Sequence, residues 1–200
     1  MNVLLLGPQG SGKGTQARRI STEYGIPQIA TGDMLRRAIA DKTPLGRLVR
    51  PIYDAGRLVP DDLMIDLIRE RLDSPDTRNG FVLDGFPRTM AQAEALDEML
   101  REIGRELDIV FDLQVPDDGT LIDRLQKRAA EEGRADDTPA AIAQRLALYR
   151  EQTEPLIEHY RSGRGNVVGI HGDRTVNEVF KEIQDALEQA AKRPVRVSDS

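Results

Sequence analysis

The run Gly7-Pro8-Gln9-Gly10-Ser11-Gly12-Lys13-Gly14-Thr15 constrains this chain more than any other segment. The apolar stretch Val3-Leu4-Leu5-Leu6 precedes it, and a segment patterned as a helix runs on from Lys13 to Tyr24. Glycines carry no Cβ, so the backbone can wind tightly and aim successive N–H groups at one anion. The helix after the loop adds the partial positive charge of its N-terminus, and Lys13 brings a mobile ammonium. Strand, glycine-rich loop and helix in that order form the setting of a phosphate-binding loop. The general pattern has Ser or Thr directly after the lysine, whereas here Gly14 intervenes before Thr15. An ordinary glycine-rich turn is the plain alternative. A Gly-x-Gly-x-x-Ala match from Gly12 to Ala17 also occurs, but it lies within the helix entry and lacks a placed acidic partner for a dinucleotide. The loop alone does not choose between a switch, a motor and a transferase.

The remainder of the chain supplies the context. Val3–Leu6, Phe81–Leu83, Ile109–Val115 and Val167–Ile170 are near-continuous apolar runs, with Ile26–Ala30 as a weaker fifth. Such runs suit strands covered on both faces, as in parallel sheets. Helical patterning occupies Lys13–Tyr24, Asp33–Asp54 in two pieces broken at Pro44, Asp61–Leu72 and Met90–Glu102. It resumes at Gly119–Ala130, Pro139–Arg161 and Val176–Ala191. Thr175-x-x-Glu178 and Thr89-x-x-Gln92 fit reciprocal capping boxes, and Thr138 before Pro139 fits an N-cap with proline at the first helical position. Strands alternating with helices predict an α/β fold, a three-layer arrangement with a parallel sheet between helices.

Composition removes other classes. With 200 residues, 39% hydrophobic and 31% charged, the chain reads as a soluble globular domain rather than a disordered one. A net charge of -6 argues against a surface that tracks nucleic acid, and four Phe, four Tyr and no Trp leave no stacking platform for bases. The absence of cysteine excludes disulfides and thiolate zinc sites and fits a reducing compartment. No apolar run approaches the ~20 residues of a membrane span, and no secretory signal is evident. A cytoplasmic location is the expectation.

Three further segments decide the class. Gly7 to Gln16, then Thr31-Gly32-Asp33-Met34-Leu35-Arg36, then Leu83-Asp84-Gly85-Phe86-Pro87-Arg88 with Gln92, resemble the adenylate kinase family in order and spacing. Arg134-Ala135-Asp136-Asp137, with Arg145 eleven residues after Arg134, completes the resemblance, which covers about residues 1 to 190. The span from Arg128 to Arg134 leaves no room for the extended lid of longer relatives, nor for the cysteine-bound zinc some of them carry. Gln9 stands where the family usually has proline.

The resemblance implies reversible, Mg²⁺-dependent transfer of the ATP γ-phosphoryl group to AMP, giving two ADP. It implies a P-loop nucleoside monophosphate kinase fold: residues 1–29, 60–117 and 138–192 as the core, 30–59 as an AMP-binding subdomain, 118–137 as a short lid and 193–200 as a flexible tail. It also implies a monomer that works on small-molecule nucleotides, with no nucleic-acid or membrane partner. The acceptor is already an anionic oxygen, so positioning and charge neutralisation in a dry site carry the reaction, without a nucleophilic Cys, His or Ser.

Carried onto this sequence, the resemblance places the ATP phosphates on Gly10, Ser11, Gly12, Lys13, Gly14 and Thr15, with Arg124, Arg128 and Arg174 as further ATP contacts. Thr15 and Asp84 lie near the metal, Asp84 through its water shell, although a carboxylate there could also cap a helix or loop. The AMP site comprises Thr31, Arg36, the backbone of Arg57, Leu58 and Val59, the segment Gly85, Phe86, Pro87 and Arg88, and Gln92. Thr31 could instead simply open its helix, and Gln92 could serve its capping box. The family's pyrimidine-specific siblings tend toward Ala and Asn at these two positions, so the pair leans toward adenine. Arg134 and Arg145 are cast as clamps on both sets of phosphates; with Lys13, Arg88 and Arg124 they form the catalytic set. Arg124 and Arg128, spaced i, i+4, would share one helix face, the alternative being a solvated basic face balanced by Glu131, Glu132, Asp136 and Asp137. Asp136 and Asp137 are expected to orient arginines rather than bind metal. His159 and His171 do not make a zinc site.

Overall fold

The apolar runs pair side by side, and the three central ones are buried on both faces. The structure is a computed structural model and describes residues 1–134, 136–164 and 166–191. Strands β1 (Asn2–Leu6), β2 (Gln28–Ala30), β3 (Phe81–Asp84), β4 (Ile109–Gln114) and β5 (Val167–His171) form one sheet in the order β2-β3-β1-β4-β5. Every pairing is parallel. The helices are α1 (Lys13–Tyr24), α2 (Thr31–Ala40), α3 (Pro44–Asp54), α4 (Asp61–Leu72), α5 (Met90–Glu102), α6 (Asp118–Glu132), α7 (Pro139–Leu148), α8 (Pro155–Arg164) and α9 (Val176–Ala191). This is the three-layer α/β arrangement that the sequence predicts. Its expected tail, 193–200, lies outside the described residues, as do Ala135, Gly165 and Lys192.

Alternation along the strands divides the core in two. Val3, Leu5, Val82, Ile109 and Phe111 point to one face, where Ala17 and Ile20 of α1 and Val179 and Ile183 of α9 cover them. Leu4, Leu6, Phe81, Leu83 and Val110 point to the other, against Ile68 of α4, Leu96 and Leu100 of α5, and Leu156 and Tyr160 of α8. Phe111 is fully buried, and its truncation to alanine is expected to cost about 3–5 kcal/mol. A third, smaller cluster, Leu121, Leu125, Ile142 and Leu146 with Val115, joins α6 to α7 beside the end of β4.

Two local expectations are corrected. The helix expected over Pro139–Arg161 is broken by a wide turn at Tyr149–Thr153, and α8 restarts at Pro155. Proline has no N–H to continue the ladder, and its ring crowds the carbonyl four residues back. The weaker strand loses its first two residues because Pro27 lacks a donor, although the Pro27 carbonyl still accepts from Val82 N–H at 2.9 Å. The break at Pro44 is present as expected, with Thr43 capping α3 by accepting from Gly46 N–H at 3.0 Å.

Strand register sets the position of the polar groups. Asp84 ends β3 directly beside Leu5 of β1 and Ala30 of β2. β1 lies centrally, with β3 on one side and β4 on the other, so chain connections diverge at its carboxyl end. A crevice at such a divergence is where open α/β sheets bind ligands.

Candidate active site

The loop after β1 is held open by backbone conformations that glycine alone takes easily. Gly10 has φ +86°, and a Cβ there would sit 2.8 Å from the Leu121 carbonyl oxygen of α6. Gly12, with φ +95°, precedes α1 and provides no side-chain cap, and the first turn of α1 has no acidic residue. The leading N–H groups and positive end of α1 are therefore not neutralised by the helix's own side chains, which makes this a seat for an anion. Lys13 Nζ donates to the carbonyls of Gly7 at 2.6 Å and Pro8 at 2.8 Å. Burial pulls its pKa down to about 8, with Asp84 opposing and Arg88 and Arg128 adding to the fall.

Asp84 faces this loop. A Cβ on Gly14 would lie 3.3 Å from Asp84 Oδ2, so the bare glycine makes room for the carboxylate beside Thr15. Burial raises the Asp84 pKa, against the pull of Lys13 and Arg88. Arg88 Nε donates to Gly85 O at 2.8 Å, and burial lowers its pKa.

Across the cleft, the arginines are already paired. Arg145 donates to Asp137 at 2.5 Å and Asp136 at 3.0 Å, and Arg128 donates to the same Asp137 at 2.6 and 3.0 Å. The Asp137 side chain is wholly inaccessible, so one buried carboxylate fixes two guanidinium groups from α6 and α7. Arg134 pairs instead with Glu132 at 2.6 Å. Arg36 holds Asp33 and the Tyr53 hydroxyl, the latter at 2.5 Å. Arg124 donates to Gly172 O at 2.8 Å, tying α6 to the loop after β5. Arg174, on that loop, is half-exposed and 3.8 Å from Glu182.

One cleft of about 560 Å³ brings these groups together: Gly10 through Thr15, Arg36, Asp84, Gly85, Pro87, Arg88, Arg124, Arg128, Arg134, Arg145 and Arg174 all line it. A single cavity lined by a glycine-rich loop and by arginines from several elements suits two polyanions meeting end to end. The profile of the adenylate kinase family matches residues 5–164. The chain belongs to that family. It is 47% identical over 196 residues to the adenylate kinase of Nitrobacter hamburgensis, covering 95% of this chain and 93% of that protein. It is 48% identical over 191 residues to the one from Caulobacter vibrioides, covering 96% and 99%. The adenylate kinase of Archaeoglobus fulgidus is 41% identical over 215 residues, covering 94% and 99%; that alignment is longer than this chain, so this relative carries residues with no counterpart here.

Not every residue that the family resemblance singles out lines the cleft. Thr31 is wholly buried; it opens α2 as its first residue, its hydroxyl donating to Asp84 O at 3.4 Å without capping the helix. Gln92 is 2% exposed; Nε2 donates to Asp61 at 2.7 Å and Oε1 accepts from Arg88 N–H at 2.8 Å. The capping box expected at Thr89 is thus only half formed: Thr89 caps Gln92 N–H at 3.3 Å, but the amide does not return to Thr89. Phe86 and Val59 are core residues, Arg57 is exposed, and Leu58 is half-buried. At Thr175 the box is complete, Glu178 accepting from both the N–H and the hydroxyl of Thr175.

Sequence reasoning also missed contributors. Tyr149 and Thr153 reach the cleft only because the wide turn re-aims them, and Thr153 Oγ1 donates to Arg88 O at 2.9 Å. Tyr53 sits in no motif. Asp33 carried a usable signal, since it lies three residues before Arg36, the helical spacing of an ion pair.

Proposed function

We propose that this chain moves the γ-phosphoryl group of ATP to the phosphate of AMP, reversibly, giving two ADP. The observation that carries the reading is one continuous cleft whose floor is the glycine-rich loop and whose far wall is Arg36, Arg88, Arg134 and Arg145. In this reading the backbone from Gly10 to Thr15 and Lys13 hold the donor's phosphates, aided by Arg124 and Arg128, with Arg174 at the adenine end. Arg36 and Arg88 take the acceptor's phosphate, while the peptides of Arg57–Val59 and the segment Gly85–Pro87 shape its nucleoside site. Thr31 and Gln92 lie toward the base.

The reacting acceptor oxygen is already anionic, so no side chain needs to remove a proton. The new bond forms from that oxygen to the γ-phosphorus as the bond to the ADP leaving oxygen breaks. Lys13, Arg88, Arg124, Arg134 and Arg145 offset the charge spread over the transferring group, in a setting where preorganised donors are strongest. Asp136 and Asp137 keep Arg145 in place before substrate arrives, and Asp137 does the same for Arg128 on the ATP side. One carboxylate, Asp84, and one hydroxyl, Thr15, beside phosphate oxygens suit Mg²⁺, which keeps most of its waters. Thr15 and, through water, Asp84 would hold it, and when bound it neutralises phosphate charge. Among the described residues no cluster of three or more His, Asp or Glu is placed to hold a metal by itself.

Segments 30–59 and 118–137 are read as flaps over the two nucleotides, with the rest as the core. Their closure would exclude water, a competing acceptor. A monomer in the cytoplasm that balances adenine nucleotides completes the reading, in keeping with the absence of any helix long and apolar enough to cross a membrane among the described residues. The test is ADP production from ATP with AMP, CMP and UMP offered in parallel. The reading expects AMP to be preferred by orders of magnitude; equal use of CMP or UMP would reassign the chain to a pyrimidine-specific kinase.

A further inference from the structure

Tyr53 stands outside the phosphate-binding set, yet its surroundings are those of a phosphate oxygen. It lies on the last turn of α3 and lines the cleft. Its hydroxyl accepts from Arg36 Nη1 at 2.5 Å. The Arg145 guanidinium lies over its ring, 5.3 Å from the centroid, and Arg145 also donates to the Tyr53 carbonyl at 3.3 Å. Arg88 is near enough for its charge to act on the hydroxyl as well. Three guanidinium groups, from α2, α7 and the β3–α5 loop, thus surround this side chain, Arg36 bonding its hydroxyl, with the Asp136 carboxylate as the nearby anion.

We propose that Tyr53 is a further acceptor-site residue: its hydroxyl holds Arg36 in place and donates its own proton to the phosphate of AMP, while its ring seats Arg145. This rests on the assignment of Arg36 and Arg88 to the acceptor phosphate. The geometry leaves that proton free for the purpose. Among the described residues the acceptor in reach is Gly32 O at 3.5 Å, well beyond the 2.7–2.8 Å of a good hydroxyl bond. A hydroxyl that accepts from a guanidinium is polarised toward donating, which suits an anionic oxygen. The three cations would favour ionisation, but burial, with the Asp136 carboxylate adding to it, outweighs them and raises the Tyr53 pKa, so the group stays a neutral donor.

The arrangement also couples two parts of the chain. Arg36 and Tyr53 belong to the 30–59 segment, whereas Arg145 belongs to α7. Seating Arg145 on the Tyr53 ring and carbonyl joins that segment to α7. A cation over an aromatic face is attracted by the ring's quadrupole, and the contact strengthens when water is excluded.

Two variants separate the parts. Tyr53→Phe keeps the ring and removes the hydroxyl; Tyr53→Leu removes both. Steady-state kinetics with AMP and ATP varied separately, and calorimetric AMP binding, supply the readouts. Tyr53→Phe is expected to raise the KM and Kd for AMP about tenfold, the loss of one hydrogen bond to a charged group, while the KM for ATP and the melting temperature hold. Tyr53→Leu is expected to lower kcat several-fold further through Arg145. In an Arg36→Ala background, Tyr53→Phe should weaken AMP binding by less than it does alone, because part of its effect passes through Arg36. Wild-type affinity for AMP in Tyr53→Phe would overturn the proposal, as would equal losses for AMP and ATP. Wild-type protein that fails to phosphorylate AMP would instead overturn the broader reading, so the two failures are distinct.

Discussion

The floor and the far wall of the cleft carry their positive charge by different means. The floor is backbone: glycines with left-handed φ values, an uncapped helix start and a single ammonium, all within nine consecutive residues. The far wall is side chain: guanidinium groups from α2, the β3–α5 loop, α6 and α7, most of them held by a carboxylate, carbonyl or hydroxyl. A backbone cradle is fixed as soon as its strand and helix form. A wall of long side chains needs support from Asp33, Asp136, Asp137 and Tyr53 to hold one geometry. The floor can therefore be damaged only by touching the loop itself, whereas the wall can be damaged one residue removed.

The largest expected effect falls on the floor. Lys13→Met should cut kcat by about 10³-fold with the melting temperature little changed, because it removes a charge facing phosphate and not a core contact. A near-normal rate would leave the floor without its ammonium's role. Arg36→Ala should raise the KM for AMP by about 10–100-fold with the KM for ATP within twofold, the loss of charged hydrogen bonds on one side only. Equal effects on both nucleotides would erase the distinction between floor and wall. Asp137→Ala tests support at one remove: freeing Arg128 and Arg145 should lower kcat/KM about tenfold for both nucleotides. If activity survives intact, the arginines need no such bracing.

A second pair of helix starts sharpens the contrast. α1 has no side chain capping its first N–H groups, whereas α9 is capped through Thr175 and Glu178. The hydrogen bonds from Thr175 hold the Glu178 carboxyl below its ordinary pKa. A lowered carboxylate pKa adds stability above the unfolded value, and that stability is lost as pH falls through the folded one. Glu178→Ala should therefore melt slightly below wild type at neutral pH, and the two curves should converge as the pH drops below the carboxylate range. A difference that persists in acid would mean that packing, not the box, is responsible.

The same contrast explains what could be read from the sequence. The floor was legible because its chemistry is contiguous, and the strands because burial on both faces forces unbroken apolar runs. The bounds of α1, α4, α5 and α9 fall where their periodicity places them. The wall was legible only through family motifs, since nothing local says that Arg128 and Arg145 share Asp137. Tyr53, Tyr149 and Thr153 were missed for a related reason. Their roles depend on where α3 docks and on a turn widened ahead of Pro155, both consequences of tertiary packing. For Gln92, placed by the resemblance toward the base with a local box as the alternative, no local signal points to Asp61, the partner of its amide, 31 residues away.

The central claim is that this cleft passes a phosphoryl group between two bound nucleotides and not to water. A ³¹P NMR time course of ATP and AMP with Mg²⁺ tests it most directly. The account predicts that the AMP and γ-phosphate resonances fall together while those of ADP rise, until all three nucleotides coexist at a steady ratio. Inorganic phosphate accumulating while AMP stays constant would contradict it.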